Sequence, residues 1–224
     1  MHRFDQRGGP ALHAVPVSDA IALGNGVALQ GVRRRYGRNE EIFGEGEPSD
    51  WVYRVVSGAV RTVRFTNDGR RQILAFHLPG DIFGIELSAR HTLSAEAVSE
   101  AEISLVRRSM IDTAAAKDLA AAKALLNLVA RDLANAQQHA LVLGRKGAGE
   151  RVAAFLLQLA ERANTDQEID LPMSRADIAD YLALTIETVS RAFTQMEREH
   201  TIALPSSRHV VVRDRGALEM LEAA

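Results

Sequence analysis

Apolar and polar residues follow three different patterns along the 224-residue chain. Residues 30–108 carry short runs rich in Val, Ile and Phe that are separated by glycines, which is typical of β-strands joined by tight turns. Residues 111–143 have apolar residues in steps of three and four with neither glycine nor proline, which predicts one long helix. Residues 144–224 contain shorter amphipathic segments. The pattern therefore predicts a β domain, a long helix and a mixed C-terminal domain.

The β domain is predicted to be a barrel or a jelly-roll sandwich. Its clearest strands are residues 51–56, 59–66, 70–77 and 102–107. Asn67-Asp68-Gly69 separates the second strand from the third, and Asp-Gly supplies the positive φ angles that a tight hairpin turn needs. Many short strands with glycine turns are typical of closed or double-sheet β architectures. Before this domain, residues 1–20 are weakly patterned, and we expect a flexible tail.

The long helix carries a line of apolar residues that we call the heptad seam. Its members are Leu119, Ala122, Leu126, Val129, Leu133, Ala136, Ala140 and Leu143. A helix over residues 111–143 would be about 50 Å long, and propensity alone does not stabilise such a helix, so its apolar seam must be buried. We predict a parallel coiled coil between two copies of the chain, with all of these residues except Ala122 in the dimer interface. The alternative is that the helix packs only on its own β domain.

The C-terminal domain is predicted to contain a helix-turn-helix at residues 174–199. Ser174 can cap the first helix with Asp177 three residues later, and Thr185 can cap the second helix. The apolar faces are Ile178, Tyr181 and Leu182 on the first helix and Val189, Phe193 and Met196 on the second. Glycines at 144, 147 and 149 predict a hinge before this domain, and residues 202–205 and 209–213 predict a β-hairpin wing after it.

Composition excludes several classes of protein. The chain has no cysteine, which excludes disulfides and cysteine-ligated zinc or iron–sulfur clusters. No apolar run approaches the ~18 residues that span a membrane, so a cytoplasmic protein without membrane contact is expected. The seven histidines are scattered, and no nucleophile elbow, phosphate-binding loop or dinucleotide fingerprint is present, so an enzyme is not expected. A net charge of −2 gives no support for nucleic-acid binding by bulk charge.

The second helix of the helix-turn-helix has a polar face suited to base edges in the major groove of double-stranded DNA. Glu187 can accept a hydrogen bond from cytosine, and Arg191, four residues on, can donate to guanine. Ser190 can approach a neighbouring base or phosphate, and Ile186 offers a methyl group to thymine. The alternative for Glu187 and Arg191 is a weak surface ion pair. Candidate phosphate contacts are Ser174, Arg175, Thr185, Arg208 and His209, although a solvated loop explains the last two equally well.

Three segments carry a resemblance to a known family: LALTIETVSR at 182–191, FGEGE at 43–47 and FHLPGDIFG at 76–84. They resemble the Crp/Fnr family of dimeric bacterial transcription regulators, above all the Fnr and FixK branches. The resemblance implies an α+β protein with a tail at 1–20, a β-roll sensor domain at 21–110, a dimerisation helix at 111–143 and a winged helix-turn-helix at 144–224. It also implies a TTGA-N6-TCAA-like palindrome and control of low-oxygen, denitrification or nitrogen-fixation genes.

The resemblance further implies that the protein activates transcription by touching RNA polymerase. The Fnr branch places one such surface at the segment matching Asp81, Ile82, Phe83, Gly84, Ile85 and Glu86.

The sensor domain departs from the two best-known effector sites of the family. Leu93 stands where Crp proteins have the arginine that pairs with a cyclic-nucleotide phosphate, so cyclic AMP is not expected, although Arg90 is close enough to leave it open. An iron–sulfur cluster is not expected, because its cysteines are missing. We therefore predict FixK-like activity without a cofactor. The alternative is a sensor of haem or another small ligand, with His77 as the haem ligand. A histidine in a strand is, however, more often packed or hydrogen-bonded for structural reasons than bound to a ligand.

Overall fold

The computed structural model describes residues 20–23, 27–66, 69–145, 147–163, 165 and 167–223. Its N-terminal half is built from ten short strands. They are β1 (Ala20–Leu23), β2 (Val27–Gln30), β3 (Val32–Tyr36), β4 (Glu41–Phe43), β5 (Trp51–Ser57), β6 (Val60–Phe65), β7 (Arg71–His77), β8 (Ile82–Phe83), β9 (Ser94–Ala97) and β10 (Ala101–Arg107). The predicted tail at 1–20 lies outside the described residues except for Ala20, which opens β1.

The strands form two antiparallel four-stranded sheets, in the orders β3-β10-β5-β8 and β4-β9-β6-β7, with β1 and β2 as a separate hairpin. Apolar residues from both sheets meet between them, and Val55, Val60 and Ile103 are fully buried there. Gly58 at the turn between β5 and β6 has a φ of +78°, and a Cβ on it would lie 2.2 Å from the carbonyl oxygen of Glu100. Only glycine fits this turn. The predicted jelly-roll sandwich is confirmed.

Strands β6 and β7 pair along their whole length, from Val60 opposite His77 to Phe65 opposite Arg71. The predicted hairpin at Asn67-Asp68-Gly69 is therefore consistent with the strands on either side, but residues 67 and 68 lie outside the described part of the chain. This hairpin matters below, because its β7 edge faces the C-terminal domain.

The prediction of a single helix over residues 111–143 is wrong. Two helices occur, α1 (Arg108–Lys117) and α2 (Leu119–Arg145), and Asp118 between them has extended backbone angles of φ −133° and ψ 118°. The Asp118 carboxylate accepts a hydrogen bond of 2.8 Å from the backbone N–H of Ala120. This contact satisfies an unpaired N–H at the start of α2, which explains why the chain breaks at an aspartate.

One side of α2 packs on the β domain, and the heptad seam faces away from it. Ala121 is buried together with Ile21 and Leu23 of β1. In the seam, Leu119, Leu126 and Leu133 are 86%, 66% and 58% exposed. Ala136 and Ala140 are also exposed, and Val129 and Leu143 are half-buried. Most of the seam is therefore not covered by the described residues, which argues against the alternative that this helix packs only on its own β domain.

The C-terminal half contains four helices and a small sheet among its described residues. They are α3 (Ala148–Ala163), β11 (Glu168–Asp170), α4 (Arg175–Leu182), α5 (Ile186–Arg198), β12 (Ile202–Ser206), β13 (His209–Val212) and α6 (Arg215–Ala223). The sheet order is β11-β13-β12, and β12 and β13 form the predicted wing. The predicted hinge at 144–149 is mostly helical, because α2 extends through residue 145 and α3 begins at residue 148.

The core of this half continues into the β domain. Leu156, Ile178 and Phe193 belong to the same buried cluster as Ile73 and Phe76 of β7. Among the described residues, no helix is long and apolar enough to cross a membrane.

Candidate DNA-binding interface

The first helix of the motif, α4, begins with the capping box that its sequence predicts. The Ser174 hydroxyl accepts a hydrogen bond of 3.1 Å from the backbone N–H of Asp177. The Asp177 carboxylate in turn accepts from the backbone N–H of Ser174 at 3.0 Å. Two otherwise unpaired N–H groups are thus satisfied, and the start of α4 is fixed at residue 175.

A short turn joins α4 to the recognition helix, α5. Ala183 adopts left-handed backbone angles of φ 52° and ψ 48°, which ends α4. The Thr185 hydroxyl then accepts a hydrogen bond of 3.2 Å from the backbone N–H of Thr188 and caps α5. Both predicted caps are confirmed, and they set the two helices of the motif.

The polar face of α5 points to solvent. Val189, Phe193 and Met196 are at most 1% exposed and anchor the opposite face. The predicted base-contacting residues Ile186, Glu187, Ser190 and Arg191 are all exposed and lie on the N-terminal half of the helix. The structure therefore brings these four side chains together on one accessible surface.

Glu187 and Arg191 both carry unpaired charges on this surface. Within the described part of the chain, no ion pair of 4.0 Å or less involves either residue. Hydrogen bonds from the backbone of Glu187 itself and from Thr185, together with the positive charge of Arg191, hold the pKa of the Glu187 carboxyl below its usual value. The carboxylate is thus ionised at neutral pH and ready to accept a hydrogen bond. The surface ion pair considered as the alternative is not formed.

Arg175, a predicted phosphate contact, lies over the ring of Phe193 with its guanidinium carbon 3.4 Å from the ring centre. Its Nη1 atom is buried with no hydrogen-bond partner among the described residues, and burial lowers the pKa of Arg175 to about 10. A cavity of about 330 Å³ adjoins it, lined also by Ser190 and Ser207. An unpaired buried donor next to the recognition helix is suited to an anionic oxygen such as a phosphate.

The other predicted phosphate contacts differ in the hydrogen bonds that they already make within the protein. Arg208 is exposed at the wing and donates to the carbonyl of Pro172 at 3.1 Å. The Ser174 hydroxyl already donates to Asp177 at 2.8 Å, so no proton remains for a phosphate. The His209 ring lies 2.8 Å from the Asp170 carboxylate, whose negative charge disfavours a phosphate nearby. We therefore leave Ser174 and His209 out of the site proposed below.

The segment predicted to touch RNA polymerase, residues 81–86, is only partly accessible. Ile82 and Phe83 are 9% and 2% exposed, so these side chains belong to the core and not to a surface. Asp81 is paired with Arg162. Glu86 bonds His91 and the backbone N–H of Thr92, each at 2.9 Å.

The β domain borders a cleft of about 980 Å³ with α2, α3 and α4. His77 and His139 line it, and Leu93 and Glu86 lie at the end formed by the β domain. Burial lowers the pKa of His77 to about 4, and the ring stacks on Phe83 at 4.8 Å. Within the described residues, no group of three or more metal-ligating side chains occurs.

Arg90, the arginine that left cyclic-nucleotide binding open, is exposed. Its Nη1 atom donates a 2.5 Å hydrogen bond to the carbonyl of Gly46. Leu93 is half-buried and apolar.

Sequence reasoning missed two arginines of the β domain that contact the helix-turn-helix. Arg61 in β6 and Arg71 in β7 pair with Asp177 of α4 at 2.9 and 2.7 Å, and Arg71 also pairs with Asp180 at 2.7 Å. The partners are more than 100 residues apart in the chain. No local motif marks such a contact, and Asp177 was predicted only as a capping residue.

A β-roll that continues into a winged helix-turn-helix defines a class of DNA-binding transcription regulators. The family model for a Crp-like helix-turn-helix domain matches residues 150–221, and that for a cyclic nucleotide-binding domain matches residues 33–118. The chain belongs to the Crp/Fnr family.

Its similar relatives include several FixK proteins. The nitrogen fixation regulation protein FixK of Azorhizobium caulinodans is 51% identical over 201 residues, which cover 88% of this chain and 81% of that protein. FixK of Rhizobium meliloti is 44% identical over 187 residues, covering 83% and 85%. The solved structure of FixK2 from Bradyrhizobium japonicum superposes with a TM-score of 0.85 at 47% identity, covering 88% of this chain and 99% of that one.

These similarities confirm two predictions from the sequence. The family and the FixK resemblance are correct, and the relatives are transcription regulators and not enzymes, as expected.

Proposed function

We propose that the chain is a homodimeric FixK-type regulator that binds a TTGA-N6-TCAA-like palindrome and activates genes of low-oxygen respiration, denitrification or nitrogen fixation. The observation that carries the proposal is the exposed face of α5, on which neither Glu187 nor Arg191 has an ion-pair partner in the part of the chain that the structure describes. The FixK relatives, which are named as regulators of nitrogen fixation, support the class of target genes.

Each residue of this face has a chemical role in the proposed complex. Arg191 donates to the O6 and N7 of guanine, and Glu187 accepts from the N4 of the paired cytosine, so that both address one G·C pair. Ile186 packs on a thymine methyl group, and Ser190 bonds a neighbouring base or phosphate. Arg175 and Arg208 are the proposed phosphate contacts, which set register without carrying sequence information. Thr185 is left out, because its hydroxyl already bonds the Glu187 carboxylate.

A gel-shift titration against the palindrome and a duplex with scrambled half-sites tests this. We expect Arg191→Ala to weaken binding to the palindrome by about 1–3 kcal/mol and to lower the preference over the scrambled duplex. Arg198→Ala is the matched control, because Arg198 is an exposed arginine at the far end of the same helix. Wild-type binding that ignores the half-site sequence would refute the proposed specificity.

The proposed dimer forms through the heptad seam of α2. The strong exposure of Leu126 and Leu133 supports it, because solvated leucines in a heptad register are stabilised by a second helix. Two copies would place their recognition helices in successive major grooves, ~34 Å apart. We expect the double substitution Leu126→Glu with Leu133→Glu to give monomers in sedimentation velocity. Met220→Glu, at a residue 71% exposed in α6, should leave the dimer intact.

We further propose that DNA binding needs no tightly bound effector. The apolar Leu93, the bond of Arg90 to Gly46 and the absence of cysteine support this. A small-ligand sensor is the second candidate, favoured by the 980 Å³ cleft with His77 and His139 on its wall. An absorbance spectrum of the purified protein separates the two, since a Soret band would establish haem.

Contact with RNA polymerase remains part of the proposal for residues 81–86. Because the Ile82 and Phe83 side chains are buried, we assign them to supporting this surface from inside, and we propose Asp81, Gly84, Ile85 and Glu86 for the contact itself.

A further inference from the structure

The helix-turn-helix is held against the β domain by the charged contacts of Arg61 and Arg71 with α4. We propose that Arg61 and Arg71 are positioning residues, which fix the orientation of the recognition helix and so set the spacing between half-sites that the dimer accepts. The inference rests on the dimer and the palindromic site of the proposed function. Neither arginine lies on the exposed face of α5 proposed to contact DNA, so both would act through α4.

Asp177 joins the start of α4 to the β domain. Its Oδ2 atom accepts from the backbone N–H and the hydroxyl of Ser174, at 3.0 and 2.8 Å. Its Oδ1 atom accepts from Arg61 at 2.9 Å and from Arg71 at 2.7 Å. The same carboxylate thus caps the helix and anchors it. Any shift of α4 against the sheet would break contacts on both oxygens.

The last turn of α4 is anchored as well. Arg71 donates to the Oδ2 atom of Asp180 through its Nε and Nη2 atoms, at 2.8 and 2.7 Å. The neighbouring side chain of Gln72 donates to the backbone carbonyl of Asp180 at 2.7 Å. Two consecutive residues of β7 therefore hydrogen-bond to the C-terminal half of the helix. Contacts at both ends of α4 restrain its direction as well as its position.

The arginine in β6 is itself held firmly on the β-domain side. Arg61 donates to Glu96 through Nε at 2.9 Å and through Nη2 at 2.6 Å, and Nη2 also donates to Asn39 at 3.1 Å. Glu96 lies opposite Arg61 in the paired strand β9. Arg61 is 4% exposed, and each of its three guanidinium nitrogens donates to a partner. It is therefore a fixed donor and not a mobile surface cation.

The orientation of α4 is passed to α5 by their shared core. Ile178 of α4 and Val189 of α5 are both fully buried in one cluster, and Phe193 is 1% exposed. Close packing of this kind moves as a unit. Apolar contacts with the β domain, such as Phe76 against Tyr181 at 5.2 Å between ring centres, add attraction. Such contacts are not directional, whereas the hydrogen bonds of the arginines are.

Selection of sites from a random DNA duplex pool tests the inference, with wild type and the variants Arg71→Gln and Asp180→Asn. The half-site sequence reports on the contacts of α5, and the distribution of spacer lengths reports on the positioning contacts. We expect wild type to select one spacer length. Both variants should keep the half-site sequence but accept spacers one base pair shorter and longer. Their preference for the best spacer should fall about tenfold, within the range of coupling found in one ion-pair network.

The double variant and a matched control make the result specific. Because Arg71→Gln already removes the bonds of Arg71 to Asp180, the double variant should broaden the spacing no further than Arg71→Gln alone. Arg64→Gln removes an arginine from the same strand as Arg61 whose partner is Glu45 at 3.6 Å, away from α4. It should keep the wild-type spacing.

Three results would count against the inference. Variants that lose affinity equally for all spacers, with circular dichroism showing a smaller folded fraction, would mean that the arginines only stabilise the fold. Variants with unchanged spacing would also overturn it, as would a wild type that selects isolated half-sites. A wild type that selects a different palindrome at one spacing would refute the proposed TTGA sequence and leave the positioning role to be decided by the variants in the same pool.

Discussion

Two groups of charged residues in the helix-turn-helix have opposite environments. Asp177 on α4 is 4% exposed and meets two arginines of the β domain, whereas Glu187 on α5 is exposed and has no ion-pair partner within the described residues. The residue types are similar, but only the exposed group has hydrogen-bonding capacity left for DNA. Charged side chains that are paired within the protein therefore hold the helix-turn-helix in place, and the exposed ones are available to bind DNA.

Both carboxylates remain ionised at neutral pH, for different reasons. Burial by itself would raise the pKa of Asp177, but the hydrogen bonds from Ser174 and the charges of Arg61 and Arg71 outweigh it, so the pKa is lowered. For Glu187 the hydrogen bonds to its own backbone and to Thr185 are the main cause. Stability from Asp177 is therefore present above its unfolded pKa and is lost as the pH falls through its lower folded value.

The largest expected effect comes from removing the buried carboxylate. Asp177→Ala leaves the buried Nη1 atom of Arg61 without its acceptor, takes one of two carboxylate partners from Arg71 and removes half of the capping box. We therefore expect the free energy of unfolding to fall by about 3–5 kcal/mol. Urea denaturation followed by circular dichroism measures it. Glu187→Ala is the matched control and should leave unfolding unchanged. Equal effects of the two substitutions would contradict the difference between the buried and the exposed carboxylate.

A smaller effect is expected from His77, a buried titratable group without an ion-pair partner among the described residues. Its pKa is about 4 in the folded protein and 6.5 when unperturbed, so the unfolded chain binds the proton first as the pH falls. The free energy of unfolding should therefore decrease between pH 6.5 and pH 4, by about 1.4 kcal/mol per unit and up to ~3 kcal/mol in total.

The variant His77→Gln isolates this contribution. Its unfolding free energy should be flatter than that of wild type across the same pH window, measured by urea denaturation at each pH. Parallel curves for the two proteins would show that other groups cause the acid sensitivity.

The smallest effect concerns the turn between the two helices. Ala183 is exposed and has a φ of 52°, a left-handed conformation that costs a residue with a Cβ about 1–2 kcal/mol. Ala183→Gly removes this cost but adds backbone entropy to the unfolded chain, so a net gain of about 0.5–1 kcal/mol is expected. Thermal unfolding should show a slightly higher midpoint, while DNA affinity stays unchanged. A lower midpoint would mean that the methyl group contributes a contact.

Local signals in the sequence predicted most of the DNA-binding module. Ser174, Asp177 and Thr185 lie at the caps that they predict, because capping depends on residues three positions apart. The strands and the seam of α2 were likewise visible as periodic patterns. The break at Asp118 was missed, since the apolar period continues across it and only a side-chain bond to Ala120 reveals the new cap.

The contacts between the domains could not be predicted in this way. Arg61 meets Asp177 across 116 positions of sequence, and nothing near either residue specifies the other. Burial of Ile82 and Phe83 was also missed, because a segment chosen by resemblance carries no information on which side chains face inward.

Because α5 is 13 residues long, a small change in its angle moves the side chains at its far end by a large distance. A helix of that length extends about 20 Å, and hydrogen bonds to base edges tolerate a distance range of ~0.5 Å. A tilt of only about 1.5° at one end of the helix uses up that range at the other. The contacts at the two ends of α4 hold this angle. Their stiffness therefore limits how well the protein can distinguish one base pair from another.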